Sequence, residues 1–164
     1  MLAWPQIRLA ERRDATRIAQ MSRHYIEDGL GWSWHSTRVL GAIEDASTNV
    51  AVIDPVEPGL GSRELAGFAI MHYGEHTAHL ALLAVHPAHR RRGLGTRLLW
   101  WLERCAVSAG IGRIRLEARA DNPAAIAFYR SLGYEPSGVQ RGYYRGVLDA
   151  IRLEKRRWSA KDAT

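Results

Sequence analysis

Apolar residues recur at helical spacing in several stretches of the chain, and most of the others form short runs typical of strands. The clearest stripe consists of Leu94, Leu98 and Leu102, whose spacing of four places them on one helix face. The predicted helices cover 14–27, 36–45, 94–109 and 123–132. The predicted strands cover 6–9, 49–53, 64–73, 77–85, 113–118, 134–144 and 147–155. A helix therefore connects strands 77–85 and 113–118, which predicts a parallel pair joined by a crossover.

Residues that start and stop helices stand at the ends of these stretches. Asp14 is the predicted N-cap of the first helix, and Asn122 followed by Pro123 predicts the start of the last. Gly110 and Gly133 follow helical stripes and predict their C-terminal ends. The stretch 54–62 is rich in Pro and Gly and predicts a turn or hairpin loop.

The composition is that of a soluble globular protein, with 164 residues, 46% of them apolar and 24% charged, and predicts one domain over 1–164. No apolar run is long enough to cross a membrane, and residues 1–8 lack the order of a secretory signal. Cys105 is the single cysteine, which fits a cytoplasmic setting. It lies on the apolar stripe of its helix, so we expect a packed thiol rather than a nucleophile.

The net charge of +6 suggests attraction to polyanions, either a phosphate-rich cofactor or a ribonucleoprotein surface. The chain has no zinc-finger spacing and no helix-turn-helix or aromatic RNA-binding signature, so no specific nucleic-acid partner is expected. His86 and His89 lack a third ligand near them, so no metal is expected there. His72, His76 and His79 share no obvious face and are expected to be surface or cleft residues.

The most informative stretch is 85–100, which combines a strand end, a basic turn with two glycines and the start of an amphipathic helix. Gly93 and Gly95 allow the backbone to approach a ligand without a Cβ in the way. The first amides of the helix point toward that ligand, and the helix dipole favours negative charge there. Arg90, Arg91 and Arg92 add cations at the same end. The turn therefore predicts a site for a pyrophosphate.

Two common phosphate motifs do not fit this turn, because the third glycine of Gly-x-Gly-x-x-Gly is absent and no Gly-Lys-Ser/Thr triplet occurs in the chain. Residues 90–95, Arg-Arg-Arg-Gly-Leu-Gly, instead resemble the Q/R-x-x-G-x-G/A signature of the GNAT acetyltransferases. Residues 116–134 resemble the second block of that family, an Asn followed by A-x-x-x-Y-x-x-x-G-F/Y. Within the family the chain is most similar to the RimI type, the ribosomal-protein-alanine N-acetyltransferases, over roughly 83–153.

The resemblance implies an α/β (α+β) GNAT fold, a central mixed, mostly antiparallel twisted sheet of about six to seven strands flanked by about four helices. It also implies an enzyme that uses acetyl-CoA and no metal to acetylate a primary amine, the α-amine of a protein or peptide N-terminus in RimI-like enzymes. The expected partners are acetyl-CoA and this amine acceptor, with no membrane, and the expected state is a monomer or a homodimer.

The cofactor residues that the resemblance implies fall in three places. The strand end would lend backbone groups to the pantetheine arm, the turn would hold the pyrophosphate, and Asn122 would contact the CoA arm. The alternatives are a buried strand, a solvated basic helix start and a plain N-cap. The residues are Leu83, Ala84, Val85, Arg90, Arg91, Arg92, Gly93, Leu94, Gly95, Thr96 and Asn122.

Two residues carry the implied chemistry. Glu117 would be the general base, acting directly or through a water molecule, and its alternative is a salt bridge to Arg115 or Arg119. Tyr129 would be the general acid for the leaving thiolate, and its alternative is a core aromatic on the helix stripe.

The acceptor side is implied by position in the family: Trp32 and Trp34 on one side, with core packing as their alternative, and Tyr143 and Tyr144 on the other. The turn Arg145-Gly146 is shorter than in RimI-type enzymes. A small-molecule amine or amino-acid-like metabolite is therefore the second acceptor considered. Two functions of other classes remain as alternatives to an enzyme. One is a non-catalytic acetyl-CoA sensor, and the other is a salt-sensitive RNA or ribosome-surface binder.

Overall fold

The structure is a computed structural model that describes residues 5–55 and 64–156, which contain seven strands and four α-helices. The strands are β1 Ile7–Leu9, β2 Thr48–Ile53, β3 Gly67–Tyr73, β4 Thr77–Val85, β5 Arg113–Arg119, β6 Glu135–Tyr144 and β7 Leu148–Arg156. The helices are α1 Ala15–Tyr25, α2 Ser36–Glu44, α3 Leu94–Ser108 and α4 Pro123–Ser131, with short 3-10 turns at Arg12–Asp14 and Pro87–His89.

The strand order in the sheet is β1-β2-β3-β4-β5-β7-β6. Among the described registers, β4 and β5 run parallel, and the β1–β2, β2–β3, β5–β7 and β6–β7 pairs are antiparallel. This confirms the predicted mixed, mostly antiparallel sheet with four helices, and the crossover from β4 through α3 to β5. The chain divides into two compact units. A single domain over 1–164 stays a prediction.

The first unit comprises 1–72 and 82–104. Its strands β1, β2 and β3 pair in order, and β2 and β3 are almost wholly buried because both faces of these apolar strands are covered. Helices α1 and α2 pack on each other and bury Ile18, Met21 and Val39. Leu94, Leu98 and Leu102 of α3 are buried, as the stripe predicts.

The second unit comprises 73–81 and 105–164. Strand β5 alternates between buried and partly exposed residues, so Leu116 faces the core while Glu117 faces the opposite side. The β6–β7 hairpin carries two register shifts and closes through Arg145 and Gly146, which both have positive φ. Tyr134 is fully buried.

The four predicted helix-end residues lie at helix ends, and three of them also act in the predicted way. The Asn122 side chain accepts a hydrogen bond from the Ala125 amide at 3.1 Å, and Gly110 and Gly133 adopt positive φ after α3 and α4. Asp14 occupies the predicted N-cap position of α1, but its side chain makes no capping hydrogen bond there. Its carboxylate instead accepts hydrogen bonds from the Glu11 amide at 2.7 Å, from Arg8 at 2.8 Å, and from Arg17 of α1.

Two further predictions differ from the structure. Cys105 is only partly buried, because Ala106 takes the inward position at this turn of α3, so the thiol is not fully packed. The predicted strand 64–73 begins only at Gly67. Most of the predicted loop 54–62 lies outside the described residues.

Candidate active site

The turn before α3 has the geometry of an anion site. Arg91 and Gly93 adopt positive φ, which turns the chain sharply before the helix begins at Leu94. The hydrogen bond from the Arg97 amide to the Gly93 carbonyl, 3.0 Å long, opens the helix. The amides of Leu94, Gly95 and Thr96 precede it and lie along the helix axis at its positive end.

The three arginines of this turn do not act alike. The Arg90 side chain folds back, and its Nε donates to the Val85 carbonyl at 3.3 Å, so it ties the turn to the end of β4. Arg91 and Arg92 are exposed. Arg90 is exposed as well, but this hydrogen bond holds it at the end of β4, which leaves Arg91 and Arg92 as the cations next to the helix N-terminus.

The end of β4 is held in a fixed position within the first unit. The His86 amide donates to the Ala66 carbonyl at 2.9 Å, and Gly67 lies so close that a Cβ there would be 3.1 Å from the Ala84 carbonyl oxygen. Leu83, Ala84 and Val85 belong to this end. The register between β4 and β5 stops at Leu80 and Leu116, although β4 continues to Val85.

A polar cluster that the sequence did not reveal supports the same turn. The Ala88 amide donates to Nδ1 of His86 at 3.1 Å, so Nε2 carries the ring hydrogen and donates to Glu64. The Tyr25 ring meets the His86 ring edge-on at 5.9 Å between centroids. Burial raises the pKa of Tyr25, and the nearby charge of Glu64 raises it further. This cluster joins the end of α1 to the strand end before the turn.

Glu117 is a buried carboxylate of the second unit, with 4% of its side chain exposed. His79 Nε2 lies 2.5 Å from its Oε2, and Arg115 donates to its Oε1 at 2.9 Å. Arg152 Nε is 3.7 Å from Oε1. The salt bridge to Arg115 is therefore present, whereas Arg119 pairs with Asp121 instead.

The surroundings of Glu117 keep it ionised. Burial alone would raise the pKa of this carboxyl. The hydrogen bond from His79 and the charges of Arg115 and Arg152 outweigh burial, so the pKa of Glu117 lies below its ordinary value. At neutral pH the side chain is therefore an anion that can accept a proton.

Tyr129 lies buried on α4, with its ring edge-on to Phe128 at 5.1 Å and to Tyr134 at 6.0 Å. The Tyr129 ring therefore does pack in the core, as its alternative interpretation predicts. Burial raises the pKa of Tyr129 well above its ordinary value, and Tyr144 adds to this. The hydroxyl consequently keeps its proton and can donate a hydrogen bond.

The two tyrosines at the end of β6 differ in surroundings. The Tyr144 hydroxyl donates to the Glu117 carbonyl at 3.5 Å, and burial raises its pKa. The Tyr143 ring meets that of Tyr144 edge-on and is largely exposed. The structure thus brings Tyr144, rather than Tyr143, to the strand that carries Glu117. Asn122 uses its side-chain oxygen to cap α4, as described above.

Trp32 and Trp34 lie in a segment held by the buried Glu27. One Glu27 oxygen accepts the Ser33 amide at 2.8 Å, and the other accepts the Ser22 hydroxyl at 2.9 Å. Trp34 is 8% exposed and packs in the core, which favours the packing alternative for this residue. Trp32 is partly exposed, and its ring N–H donates to the Ala19 carbonyl at 3.1 Å.

His79 is the functional candidate that the sequence analysis missed. The signal was present in the register, since parallel pairing of His79 with Arg115 places positions 79 and 117 on one face. Within 5–55 and 64–156, no group of three or more His, Cys, Asp or Glu could hold a metal ion. No helix in the same part of the chain has the length and apolar character of a membrane span.

Comparison with known proteins places this sequence in a family. The profile of the acetyltransferase (GNAT) family matches residues 11–134. The chain is 42% identical over 90 residues to the ribosomal protein bS18-alanine N-acetyltransferase of Salmonella typhimurium, covering 53% of this chain and 61% of that protein. It covers 34% of a longer Mycobacterium leprae relative, so it spans only part of the curated relatives that it matches.

Solved structures share the fold. The ribosomal-protein-S18-alanine N-acetyltransferase from Escherichia coli aligns with a TM-score of 0.74 and 28% identity over 93% of this chain and 94% of that one. The structure of Arabidopsis thaliana NAA60 in complex with acetyl-CoA aligns with a TM-score of 0.80 and 18% identity, over 93% and 98% of the two chains. Because the profile match extends over more than half of the sequence, this protein belongs to the acetyltransferase (GNAT) family.

Proposed function

We propose that this protein is an acetyl-CoA-dependent N-acetyltransferase that acetylates the α-amine of a protein or peptide N-terminus. The observation that carries the proposal is the turn between β4 and α3, where amides at the helix start and two exposed arginines can receive a pyrophosphate. The family membership supports the reaction class. The similarity to ribosomal-protein-alanine N-acetyltransferases supports the acceptor.

The residues of the first unit fit the proposed cofactor. The amides of Leu94, Gly95 and Thr96 would donate to phosphate oxygens, while the absence of a side chain at Gly93 leaves open space beside them. Arg91 and Arg92 would add charge. The backbone of Leu83–Val85 would hydrogen-bond to the pantetheine arm as it would to an added strand, since the paired register of β4 with β5 ends at Leu80. Acetyl-CoA would supply the acetyl group as a thioester.

Glu117 would accept the proton of the incoming amine. It is ionised, buried and fixed by donors on both oxygens, so its position is set before the acceptor binds. An α-ammonium with an ordinary pKa of about 8 is roughly one-tenth neutral at pH 7, whereas a lysine is neutral in less than about one part in a thousand. A carboxylate with a lowered pKa is a weak base, and this favours the α-amine.

Tyr129 would donate a hydrogen bond, and then a proton, to the departing thiolate. Its hydroxyl stays protonated because burial raises its pKa. Because this pKa lies above the ordinary pKa of a thiol, about 8.5, full proton transfer to the thiolate is uphill, so the hydroxyl must donate in contact with the sulfur. Asn122 would contact the CoA arm through the amide nitrogen, since its oxygen caps α4.

One observation favours a smaller acceptor. The β6–β7 hairpin closes through a tight turn at Arg145 and Gly146. A short turn covers less of the exposed Tyr143 than a long loop would, and this would leave room for a small amine beside Tyr143.

The proposal is tested by following thiol release from acetyl-CoA with peptides beginning with Ala, Ser, Met or Thr, N-blocked lysine peptides, polyamines and free amino acids. Turnover restricted to unblocked peptides is the expected result. Turnover restricted to small amines would reject the peptide acceptor and retain the reaction. Tight acetyl-CoA binding without turnover on any amine would reject the enzyme and favour a sensor.

A further inference from the structure

The chain that leads into the turn before α3 is held by the side chain of His86, the residue that directly follows β4. Its Nδ1 accepts the Ala88 amide at 3.1 Å, so the ring closes the start of the 3-10 turn Pro87–His89. The main chain adds a hydrogen bond from the His89 amide to the His86 carbonyl at 2.8 Å. Side chain and backbone of His86 therefore fix the same short segment.

The second ring nitrogen of His86 is also engaged. Because Nδ1 accepts, Nε2 carries the hydrogen and donates it to Glu64. Glu64 also accepts the Tyr25 hydroxyl, and the Tyr25 ring packs edge-on against the His86 ring. Only 19% of the His86 side chain is exposed. These contacts fix the direction of the ring, and with it the position of the nitrogen that holds the Ala88 amide.

The turn that follows has a conformation that needs such support. Arg91 adopts a φ of 65°, which is uncommon for a residue with a side chain and persists only where the surrounding structure holds it. The bond from Arg90 to the Val85 carbonyl, 3.3 Å long, is a second fixed point. Because α3 begins at Leu94, directly after this turn, the direction of its first amides depends on the conformation of the turn.

We infer that His86 is a positioning residue for the pyrophosphate of acetyl-CoA, because it holds the chain before α3 in the conformation that binds this anion. The inference rests on the cofactor residues proposed above. A turn that already has its binding conformation spares the ligand the cost of ordering it. Loss of the hydrogen bond to the Ala88 amide should therefore weaken binding of the pyrophosphate part of the cofactor and leave binding of the pantetheine part unchanged.

The test compares two replacements of His86. Asparagine can accept the amide two residues ahead, as in an Asx turn, whereas phenylalanine retains a ring without an acceptor. His76→Phe is the matched control, because His76 is a highly exposed histidine whose ion-pair partner is Glu75. Titration calorimetry measures the binding of CoA and of pantetheine, which lacks the pyrophosphate and the nucleotide. Thermal unfolding of each variant reports whether the fold is kept.

His86→Phe is expected to bind CoA about tenfold more weakly than the wild type, as for the loss of one hydrogen bond, and to bind pantetheine as the wild type does. His86→Asn should bring CoA binding back to within about threefold of the wild type. His76→Phe should bind both molecules as the wild type does. Unchanged CoA binding in His86→Phe would overturn the inference. An equal loss for CoA and pantetheine would also overturn it, because a general structural role affects both.

A second comparison leaves the acceptor at position 86 in place. Glu64→Ala removes the group that directs the His86 ring, so it should weaken CoA binding by about threefold in the wild-type background. In the His86→Asn background it should have no effect, because asparagine reaches the Ala88 amide without help from Glu64. Equal effects in both backgrounds would contradict the role of His86.

The same binding data separate this inference from the proposed function. CoA binding without turnover on any amine would reject the proposed acetylation, and the calorimetry would still decide the role of His86. A wild-type protein that binds no CoA would reject both.

Discussion

Replacement of Glu117 by glutamine tests the proposed base most directly. The amide keeps the size of the carboxylate but cannot accept the amine proton. Loss of a general base ordinarily costs about 10²- to 10⁴-fold in rate, which corresponds to roughly 3–5 kcal/mol in the activation barrier. Because about one-tenth of an α-amine is already neutral at pH 7, the variant can still use that fraction, and we expect a loss of about 100-fold, at the low end.

The loss should depend on pH in a defined direction. At pH 9 an α-amine with a pKa of about 8 is about nine-tenths neutral, so the need for a base falls by nearly tenfold. The deficit of Glu117→Gln should therefore shrink from about 100-fold at pH 7 to about 10-fold at pH 9. The assay is steady-state thiol release with saturating acetyl-CoA, with kcat and the KM for the peptide determined at both pH values.

Glu154→Gln is the matched control, since Glu154 lies on β7, pairs with Arg113 and also has a lowered pKa. It makes the same change of charge in the same unit and should leave kcat within about threefold of the wild type. Thermal unfolding of both variants separates lost chemistry from lost structure. A Glu117→Gln kcat within about threefold of the wild type, or a deficit that is equal at pH 7 and pH 9, would refute the reasoning.

Three further predictions follow from the described contacts. Tyr129→Phe keeps the aromatic packing and should lower kcat by about 10- to 100-fold at unchanged KM for acetyl-CoA; an unchanged kcat would assign Tyr129 to packing alone. Gly67→Ala places a Cβ 3.1 Å from the Ala84 carbonyl oxygen and should cost about 1–3 kcal/mol in urea unfolding, and wild-type stability would contradict the close approach. Asp14→Asn should cost about 3 kcal/mol at pH 7 because Asp14 is a fully buried ion-pair partner. Since ion pairing holds the pKa of Asp14 below its ordinary value despite burial, that stabilisation is present above about pH 4 and lost as the pH falls; a wild-type advantage that persists unchanged in acid would contradict this.

Much of the fold could be predicted because its signals are local. The stripe of Leu94, Leu98 and Leu102 and the cap formed by Asn122 each depend on residues within a few positions of one another. The capping hydrogen bond expected from the Asp14 side chain is absent, because other donors occupy its carboxylate. Its carboxylate accepts from the Glu11 amide and from Arg8 on β1, and helix propensity does not include a donor on a neighbouring strand.

The anion-binding turn could also be predicted, since Gly93 and its flanking arginines are consecutive in sequence. What the sequence could not give was the direction of individual side chains. Arg90 counts as a third cation in the sequence, yet in the structure it donates to the Val85 carbonyl. Trp34 lies buried in a segment that Glu27 holds by accepting hydrogen bonds from Ser33 and Trp34, six and seven residues away in sequence.

Glu117 shows most clearly where a sequence motif stops being informative. The motif identifies the carboxylate, but its proton affinity is set by groups on three strands, His79 on β4, Arg115 on β5 and Arg152 on β7. Two of these contribute fixed charge and lower its basicity at every pH. The third, His79, makes the hydrogen bond to Oε2 of the carboxylate. A relative with the same glutamate but without hydrogen-bond donors at these positions should therefore hold a carboxylate of different proton affinity, although its motif is unchanged.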